Sequence, residues 1–271
     1  MSLHPDHPRH PAPAAEDGGA AARPAEPAAV PANPGGADAF QRPTKEDLSR
    51  LAAFEGLDLG RVTVPSEPAE VRQALDELSA CAWLGFDTES RPTFLRGEAS
   101  SGPHLVQFAT LERAVLFQLR HPECREAVAR LLADTSILKV GFGLDTDLNQ
   151  LEAKLGARPE AVLDLDEIFR RSGYGRSLGV TSAVAITFGL HFHKSRRMTT
   201  SNWSDTRLTE RQLLYAANDA YAAARIYLGL GCPPPPPPEE KIPKEPPRRR
   251  SRWRRRRGKG GEARPANPET P

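Results

Sequence analysis

The sequence predicts an α/β domain in which a mixed β-sheet is flanked by helices. Three observations lead to this prediction: apolar strand patterns come early, two of them are joined as a hairpin, and strand and helix patterns then alternate. Only six of the 27 prolines fall within residues 44–231, and a stretch of this length can close a substantial core. We therefore expect one folded domain over residues 44–231.

The two ends of the chain differ from this domain in composition. Residues 1–43 contain nine prolines, and residues 232–271 contain twelve, including the uninterrupted run Pro233 to Pro238. Segments of this kind cannot bury enough apolar surface to offset the entropy lost on ordering. We expect both ends to be disordered, with the proline run acting as a stiff spacer.

The predicted elements follow in order through the domain. Apolar residues at helical spacing predict a helix at 68–79, whose start Ser66 could cap. The later patterns predict, in order, a strand at 82–89, a hairpin of strands at 104–112 and 114–120, a helix at about 122–133, a strand at 136–142, a helix from Asp145, a strand running into a helix at 161–171, a helix at 177–190 and a helix at about 209–228. The strand at 82–89 has a continuous apolar first half, so we expect it to be central and buried.

Charge is unevenly distributed, although the formal net charge of the whole chain is only +2. The folded domain carries −3, whereas residues 232–271 carry +7. The basic tail contains Arg248, Arg249, Arg250, Arg252, Trp253, Arg254, Arg255, Arg256 and Arg257. Such a run suits a polyanion, because arginines pair with phosphates and a tryptophan can stack on a base. The alternative is a solvated tail that only aids solubility.

Other features of the sequence exclude several classes of protein. The chain has no apolar run near the roughly 18 residues of a membrane helix, and its N-terminus lacks the hydrophobic segment of a secretory signal. We therefore expect a cytoplasmic protein without membrane contact. Three widely spaced cysteines fit neither a disulfide framework nor a paired zinc site. His191 and His193 stand two apart but have no third nitrogen or sulfur donor nearby, so no zinc is expected.

Two acidic residues end the predicted central strand. Asp87 and Glu89 stand two apart, so their side chains project from the same face, where like charges repel unless a cation lies between them. Mg²⁺ or Mn²⁺ would neutralise the pair, because hard divalent ions prefer carboxylate oxygens. The alternative interpretation is a helix cap or an exposed strand end.

Two further segments carry acidic residues that could join this pair. Asp147 follows the buried strand at 136–142 and lies in the first turn of a helix that Asp145 is predicted to cap. Tyr215 and Asp219 are four apart and therefore share one face of the last helix. That tyrosine and aspartate could instead form a hydrogen bond that seals a buried helix.

Three motifs in this order resemble the DEDD 3′-5′ exonucleases of the tyrosine subclass, the RNase D and Werner-syndrome exonuclease type. The motifs are GFDTESRP at 85–92 with LVQFAT at 105–110, KVGFGLDTDLNQL at 139–151, and SNWSDTRLTERQLLYAANDAYAAARIY at 201–227. The resemblance covers roughly residues 64–230, and the SRP after Glu89 is more similar to the Werner-like branch. It implies an RNase H-like fold with a five-stranded mixed sheet.

The resemblance also implies a function and a set of site residues. The family's catalytic residues fall on Asp87, Glu89, Asp147, Tyr215 and Asp219. It implies that the four carboxylates bind two divalent ions, Mg²⁺ or Mn²⁺, and that the tyrosine orients the attacking water. The expected activity is metal-dependent 3′-5′ exonucleolytic hydrolysis of DNA or RNA with a free 3′ end. The alternative is a non-catalytic nucleic-acid-binding adaptor that uses the arginine-rich tail.

Four residues of the domain are expected to contact nucleic acid. Phe94 follows the first motif and could stack on the terminal base, or could be ordinary core. Gln107, Lys194 and Trp203 match positions that are commonly occupied in the family. Gln107 could instead pair with a backbone group, and Trp203 could simply pack.

Overall fold

The computed structural model describes residues 42–93, 100–174 and 177–233. Its helices are α1 (Lys45–Ser49), α2 (Pro68–Ser79), α3 (Pro122–Ala133), α4 (Asp145–Leu155), α5 (Leu165–Arg171), α6 (Val180–Phe188), α7 (Arg196–Thr199) and α8 (Glu210–Gly229). Its strands are β1 (Ala52–Ala53), β2 (Val62–Thr63), β3 (Trp83–Ser90), β4 (Pro103–Ala109), β5 (Ala114–Gln118), β6 (Leu138–Gly141), β7 (Val162–Asp164) and β8 (Leu190–His191). Among the described helices, none combines the length and the apolar character needed to cross a bilayer.

The predicted helices at 68–79 and 122–133 are confirmed residue for residue as α2 and α3. The predicted cap of α2 is wrong in detail: Glu67 occupies the N-cap position, and the backbone N–H of Ser66 instead donates to the carboxylate of Glu70 at 2.9 Å. The other predicted strands and helices are present with ends that differ by a few residues. The predicted disorder at the two ends falls almost entirely on residues 1–41 and 234–271, which lie outside the described residues.

Within the described part of the chain, the main sheet has six strands in the order β2-β5-β4-β3-β6-β7. Strands β3, β4 and β5 pair antiparallel, which confirms the predicted hairpin. Strands β3, β6 and β7 pair in parallel. The five predicted strands therefore form a mixed sheet with β3 central, and the two-residue strand β2 extends its edge in parallel to β5. Strands β1 and β8 form a separate parallel pair.

The two faces of β3 contact different helices. Leu84 and Phe86 are fully buried in a cluster with residues of α2, α3 and α4. Gly85, on the alternate face, lies against α8. Because side chains alternate along a strand, Asp87 and Glu89 share the face of Gly85. The carboxyl end of the central strand therefore presents its two acidic residues on the side of the sheet that α8 covers.

Candidate active site

Close backbone packing brings β3 and α8 together at the site. A Cβ atom on Gly85 would lie 2.0 Å from the carbonyl oxygen of Ala220, a distance that no side chain could adopt. Ala220 directly follows Asp219, and Asp87 lies two residues beyond Gly85 on the same face of the strand. Because glycine has no side chain, α8 can pack directly on β3 at Gly85, and the carboxylates of Asp87 and Asp219 can approach each other.

The structure brings three of the predicted carboxylates together. Asp87, Glu89 and Asp219 each offer an oxygen, and these oxygens all lie within 4.8 Å of one another. Asp219 is 4% exposed, whereas the two strand residues are partly buried. Residues from two distant segments of the sequence thus meet at one edge of the sheet. Three carboxylates at this spacing form a donor set for a hard divalent cation.

Burial and mutual repulsion hold these carboxyl groups far from their ordinary titration range. Burial, followed by the charge of Asp219, raises the pKa of Asp87 to about 7. Burial, followed by the charge of Asp87, also raises the pKa of Glu89 well above its usual value. The pKa of Asp219 is raised by burial although Lys194 acts in the opposite direction. A cation at this position would relieve both the desolvation and the repulsion.

The ammonium of Lys194 contacts the carboxylate cluster at Asp219. Its Nζ forms an ion pair with Oδ2 of Asp219 at 2.9 Å, and its side chain is 35% exposed. Apart from this ion pair, neither oxygen of Asp219 accepts a hydrogen bond of ordinary geometry from the described residues. A buried carboxylate whose oxygens have a single cationic partner among the described residues keeps lone pairs that a metal ion could use. The residues present therefore fit the divalent ions that the family resemblance implies.

Asp147 lies at the edge of the cluster. It stands in the first turn of α4, shortly after the end of β6, and is outside the group of oxygens that lie within 4.8 Å. Its charge nevertheless raises the pKa of both Asp87 and Glu89, so it acts on the same site. Burial raises the pKa of Asp147, and the nearby hydroxyl of Thr88 lowers it without forming a hydrogen bond of ordinary geometry.

The turn before α4 corrects the predicted role of Asp145. Leu144 occupies the N-cap position of the helix, and Asp145 follows it as the first helical residue. The carboxylate of Asp164, at the end of β7, accepts the backbone N–H groups of Gly143 and Leu144, each at 3.1 Å. The sequence did not predict this role for Asp164, because the N–H groups that it binds lie about twenty residues earlier in the chain. The one feature that could have indicated this role is the position of Asp164 at the end of a predicted strand.

Tyr215 lies one helical turn before Asp219 on α8. Its hydroxyl forms a hydrogen bond with the hydroxyl of Thr199 at 3.1 Å, and the Nζ of Lys194 lies 5.4 Å from the centre of its ring. Burial, followed by the charge of Asp219, raises the pKa of Tyr215 above its ordinary value. The phenol is therefore neutral near pH 7 and can both donate and accept a hydrogen bond.

Gln107 and Trp203 are both buried, which counts against direct contact with nucleic acid. Gln107 is paired with Asp87 across β3 and β4, and neither polar atom of its fully buried amide has a hydrogen-bond partner among the described residues. Trp203 is 1% exposed, and its ring centre lies 5.9 Å from that of Tyr215. This contact favours the packing alternative for Trp203. The proposed backbone partner of Gln107 is not found in the described structure.

Two cavities open beside the site. The smaller, of about 180 Å³, is lined by Asp87, Asp219 and Lys194 together with residues that precede α4 and α6. The larger, of about 470 Å³, is lined by Tyr215 with Phe54, Phe192, His193, Arg197 and Arg211. The carboxylate cluster and the phenol are therefore reachable from outside the fold.

The remaining predicted nucleic-acid contacts are Phe94 and five residues of the basic tail. Phe94, Arg248, Arg249, Arg250, Trp253 and Arg254 all lie outside the described residues. Their roles stay predictions of the sequence.

Comparison with known proteins groups this arrangement with nucleases. The sequence model of a family described as 3′-5′ exonuclease matches residues 62–231. A curated 3′-5′ exonuclease from Arabidopsis thaliana is 28% identical over 151 residues, which cover 55% of this chain and 52% of that protein. The bifunctional 3′-5′ exonuclease/ATP-dependent helicase WRN of Mus musculus is 29% identical over 150 residues, which cover 55% of this chain and 11% of that protein.

Solved structures agree on the fold. The crystal structure of the Aedes aegypti Nibbler EXO domain superposes with a TM-score of 0.57 at 23% identity, covering 67% of this chain and 92% of that one. The chain spans about half the length of the first curated relative and about a tenth of the second.

Proposed function

Because the chain belongs to the 3′-5′ exonuclease family, we propose that it hydrolyses phosphodiester bonds from the 3′ end of nucleic acid in a metal-dependent reaction. The observation that carries this proposal is the convergence of Asp87, Glu89 and Asp219 within 4.8 Å. Tyr215 lies one turn away on the helix that carries Asp219. A buried cluster of this kind destabilises a fold unless a cation is bound, which supports a catalytic use for it.

The proposed cofactor is a pair of divalent ions, Mg²⁺ or Mn²⁺. Asp87 would be shared between the two ions, Glu89 and Asp219 would complete the site of one, and Asp147 would hold the other through water. When bound, such ions generate a nucleophilic water and stabilise the charge on the leaving oxygen. The lack of a hydrogen-bond partner for Oδ1 of Asp219 among the described residues and the raised pKa values of the cluster support this assignment.

The chain's own side chains position the reaction. We assign Tyr215 to orient the attacking water. Its neutral phenol oxygen can accept a hydrogen bond from the water while its O–H donates a hydrogen bond to another group. The hydrogen bond to Thr199 restricts the direction of the phenol oxygen. The packing of Trp203 against the tyrosine ring restricts the ring itself.

The proposed substrate is DNA or RNA with a free 3′ end. The arginine-rich tail is proposed to add phosphate contacts. Deleting residues 232–271 should weaken substrate binding and flatten its salt dependence, while single-turnover chemistry stays nearly unchanged. Equal salt slopes for the full and the shortened chain would contradict this role. The cytoplasmic location stays a prediction of the sequence.

An end-labelled oligonucleotide tests the activity. With Mg²⁺ or Mn²⁺, the full chain should shorten it one nucleotide at a time from the 3′ end. Asp87→Asn should slow this trimming by on the order of a hundredfold to a thousandfold. The exposed Asp76 on α2 offers a matched control, and Asp76→Asn should trim at the parental rate. Equal rates for the Asp87 variant and the parent protein would overturn the proposal. Salt-sensitive binding without any product would favour the adaptor alternative.

A further inference from the structure

Lys194 binds the same carboxylate that the proposed metal site requires. Its ammonium pairs with Asp219 at 2.9 Å and, with Asp87 and Asp219, lines the smaller cavity. The residue lies between β8 and α7, in a segment where its neighbours His193 and Ser195 are exposed. An unbranched side chain that leaves an exposed segment can swing away without any change in the core.

The charge of Lys194 acts on the whole cluster. It lowers the pKa of Asp87, Glu89 and Asp219 against the stronger effect of burial. Burial alone would lower the pKa of Lys194, but the charges of Asp219 and Asp87 raise it above its ordinary value. The lysine therefore places one positive charge beside the carboxylates of Asp87 and Asp219.

A lysine and a divalent ion cannot share this carboxylate without repulsion. At a separation of about 4 Å, two unit charges near a protein surface interact strongly, and a divalent ion doubles the repulsion. We propose that Lys194 is an internal cation that holds Asp219 until a divalent ion binds and then leaves it, so that the lysine opposes metal binding. This inference rests on the proposed exonuclease site, since it requires the carboxylates to be metal ligands.

Metal binding without nucleic acid tests the inference. The affinity of the full chain for Mn²⁺ is measured by the loss of the free-ion electron paramagnetic resonance signal. Lys194→Met should bind Mn²⁺ at least about tenfold more tightly, because the competing charge is gone. Arg197→Met removes an exposed cation from α7, three residues further along, and should change the affinity by less than about twofold.

The outcomes separate the inference from the proposed function. If Lys194→Met binds Mn²⁺ no more tightly than the parent protein, Lys194 does not compete with the metal ion for Asp219, but the proposed metal site still stands. A parent protein that binds no Mn²⁺ would instead overturn the metal site itself. Activity is not needed for either conclusion.

A second measurement uses the parent protein and does not depend on the folding of any variant. The rate at which an amine-reactive ester modifies Lys194 is mapped by mass spectrometry with and without Mn²⁺, with the exposed Lys45 as reference. Release from the ion pair with Asp219 should make the amine accessible to the reagent, so Mn²⁺ should accelerate modification of Lys194 relative to Lys45. Equal relative rates under saturating Mn²⁺ would contradict the displacement.

Discussion

The side chain of Asn218 accepts a hydrogen bond from the backbone N–H of Leu57 at 2.6 Å and donates one to the Leu57 carbonyl at 3.3 Å. The same amide donates to the carbonyl of Leu214 at 2.8 Å, one turn earlier on α8. A Cβ atom on Gly56 would lie 2.3 Å from the Asn218 Oδ1, so the segment before Leu57 passes directly over this side chain. Asn218 therefore ties the segment between β1 and β2 to the helix one residue before Asp219.

We expect Asn218→Ala to lower the free energy of unfolding by about 2 kcal/mol, because the partly buried N–H of Leu57 loses its acceptor. Urea unfolding followed by circular dichroism measures the change. The exposed Asn149 on α4 supplies the control, and Asn149→Ala should stay within about 0.5 kcal/mol of the parent. Similar values for the two variants would show that the amide contacts do not stabilise this segment.

Gly85→Ala should destabilise the domain by roughly 3 kcal/mol or more, because the new methyl group would overlap the Ala220 carbonyl. The helix would have to move away from β3, which would also separate Asp87 from Asp219. Thermal unfolding and the trimming assay measure the two effects. Gly60→Ala is the control, since a Cβ there meets only the carboxylate of Asp58 at 3.1 Å and that side chain can move. Parental stability of the Gly85→Ala variant would contradict the close packing.

Asp147 and Asp145 lie on the same turn of α4 but differ in their relation to the cluster. We expect Asp147→Asn to reduce the trimming rate by on the order of a hundredfold, because its charge acts on Asp87 and Glu89. Asp145→Asn should leave the rate unchanged, since this residue is exposed and does not cap the helix. Single-turnover assays measure the trimming rates of both variants. Equal rates for the two variants would show that Asp147 does not contribute to the active site.

The stability of metal-stripped protein should fall as the pH rises. The pKa of Asp87 is raised from 3.8 to about 7, so between these values the folded protein keeps a proton that the unfolded chain has lost. Rising pH then favours the unfolded chain until Asp87 is ionised in both states. In EDTA, the melting temperature should be lower at about pH 8 than at about pH 5.

Mn²⁺ should restore much of the stability lost at the higher pH, because it binds the ionised carboxylates of the folded state. Asp87→Asn should melt at a higher temperature than the parent at about pH 8 in EDTA, since one repelling charge is gone. A parent protein whose melting temperature rises over this pH range would contradict the raised pKa.

Local patterns predicted the order of the longer helices and strands but not the short elements α1, β1, β2, β8 and α7. Helices α2 and α3 have apolar residues at clear helical spacing, and their predicted limits match the structure. Sequence also identified Asp87, Glu89 and Asp219 as candidates that the structure brings together. The prediction of Asp145 as a cap was wrong, since Leu144 occupies that position and Asp164, from a different strand, accepts hydrogen bonds from Gly143 and Leu144. Such a partner is invisible to any pattern within one segment.

Periodicity and residue type were enough to establish the mixed sheet, its central strand and the presence of acidic residues at strand ends, because these depend on neighbours along the chain. The contact of Lys194 with Asp219, the burial of Gln107 and the approach of Gly85 to Ala220 depend instead on how distant segments pack. Side-chain charge is a property of each residue, but the dielectric environment and the opposing charges that shift its titration exist only after the chain has folded.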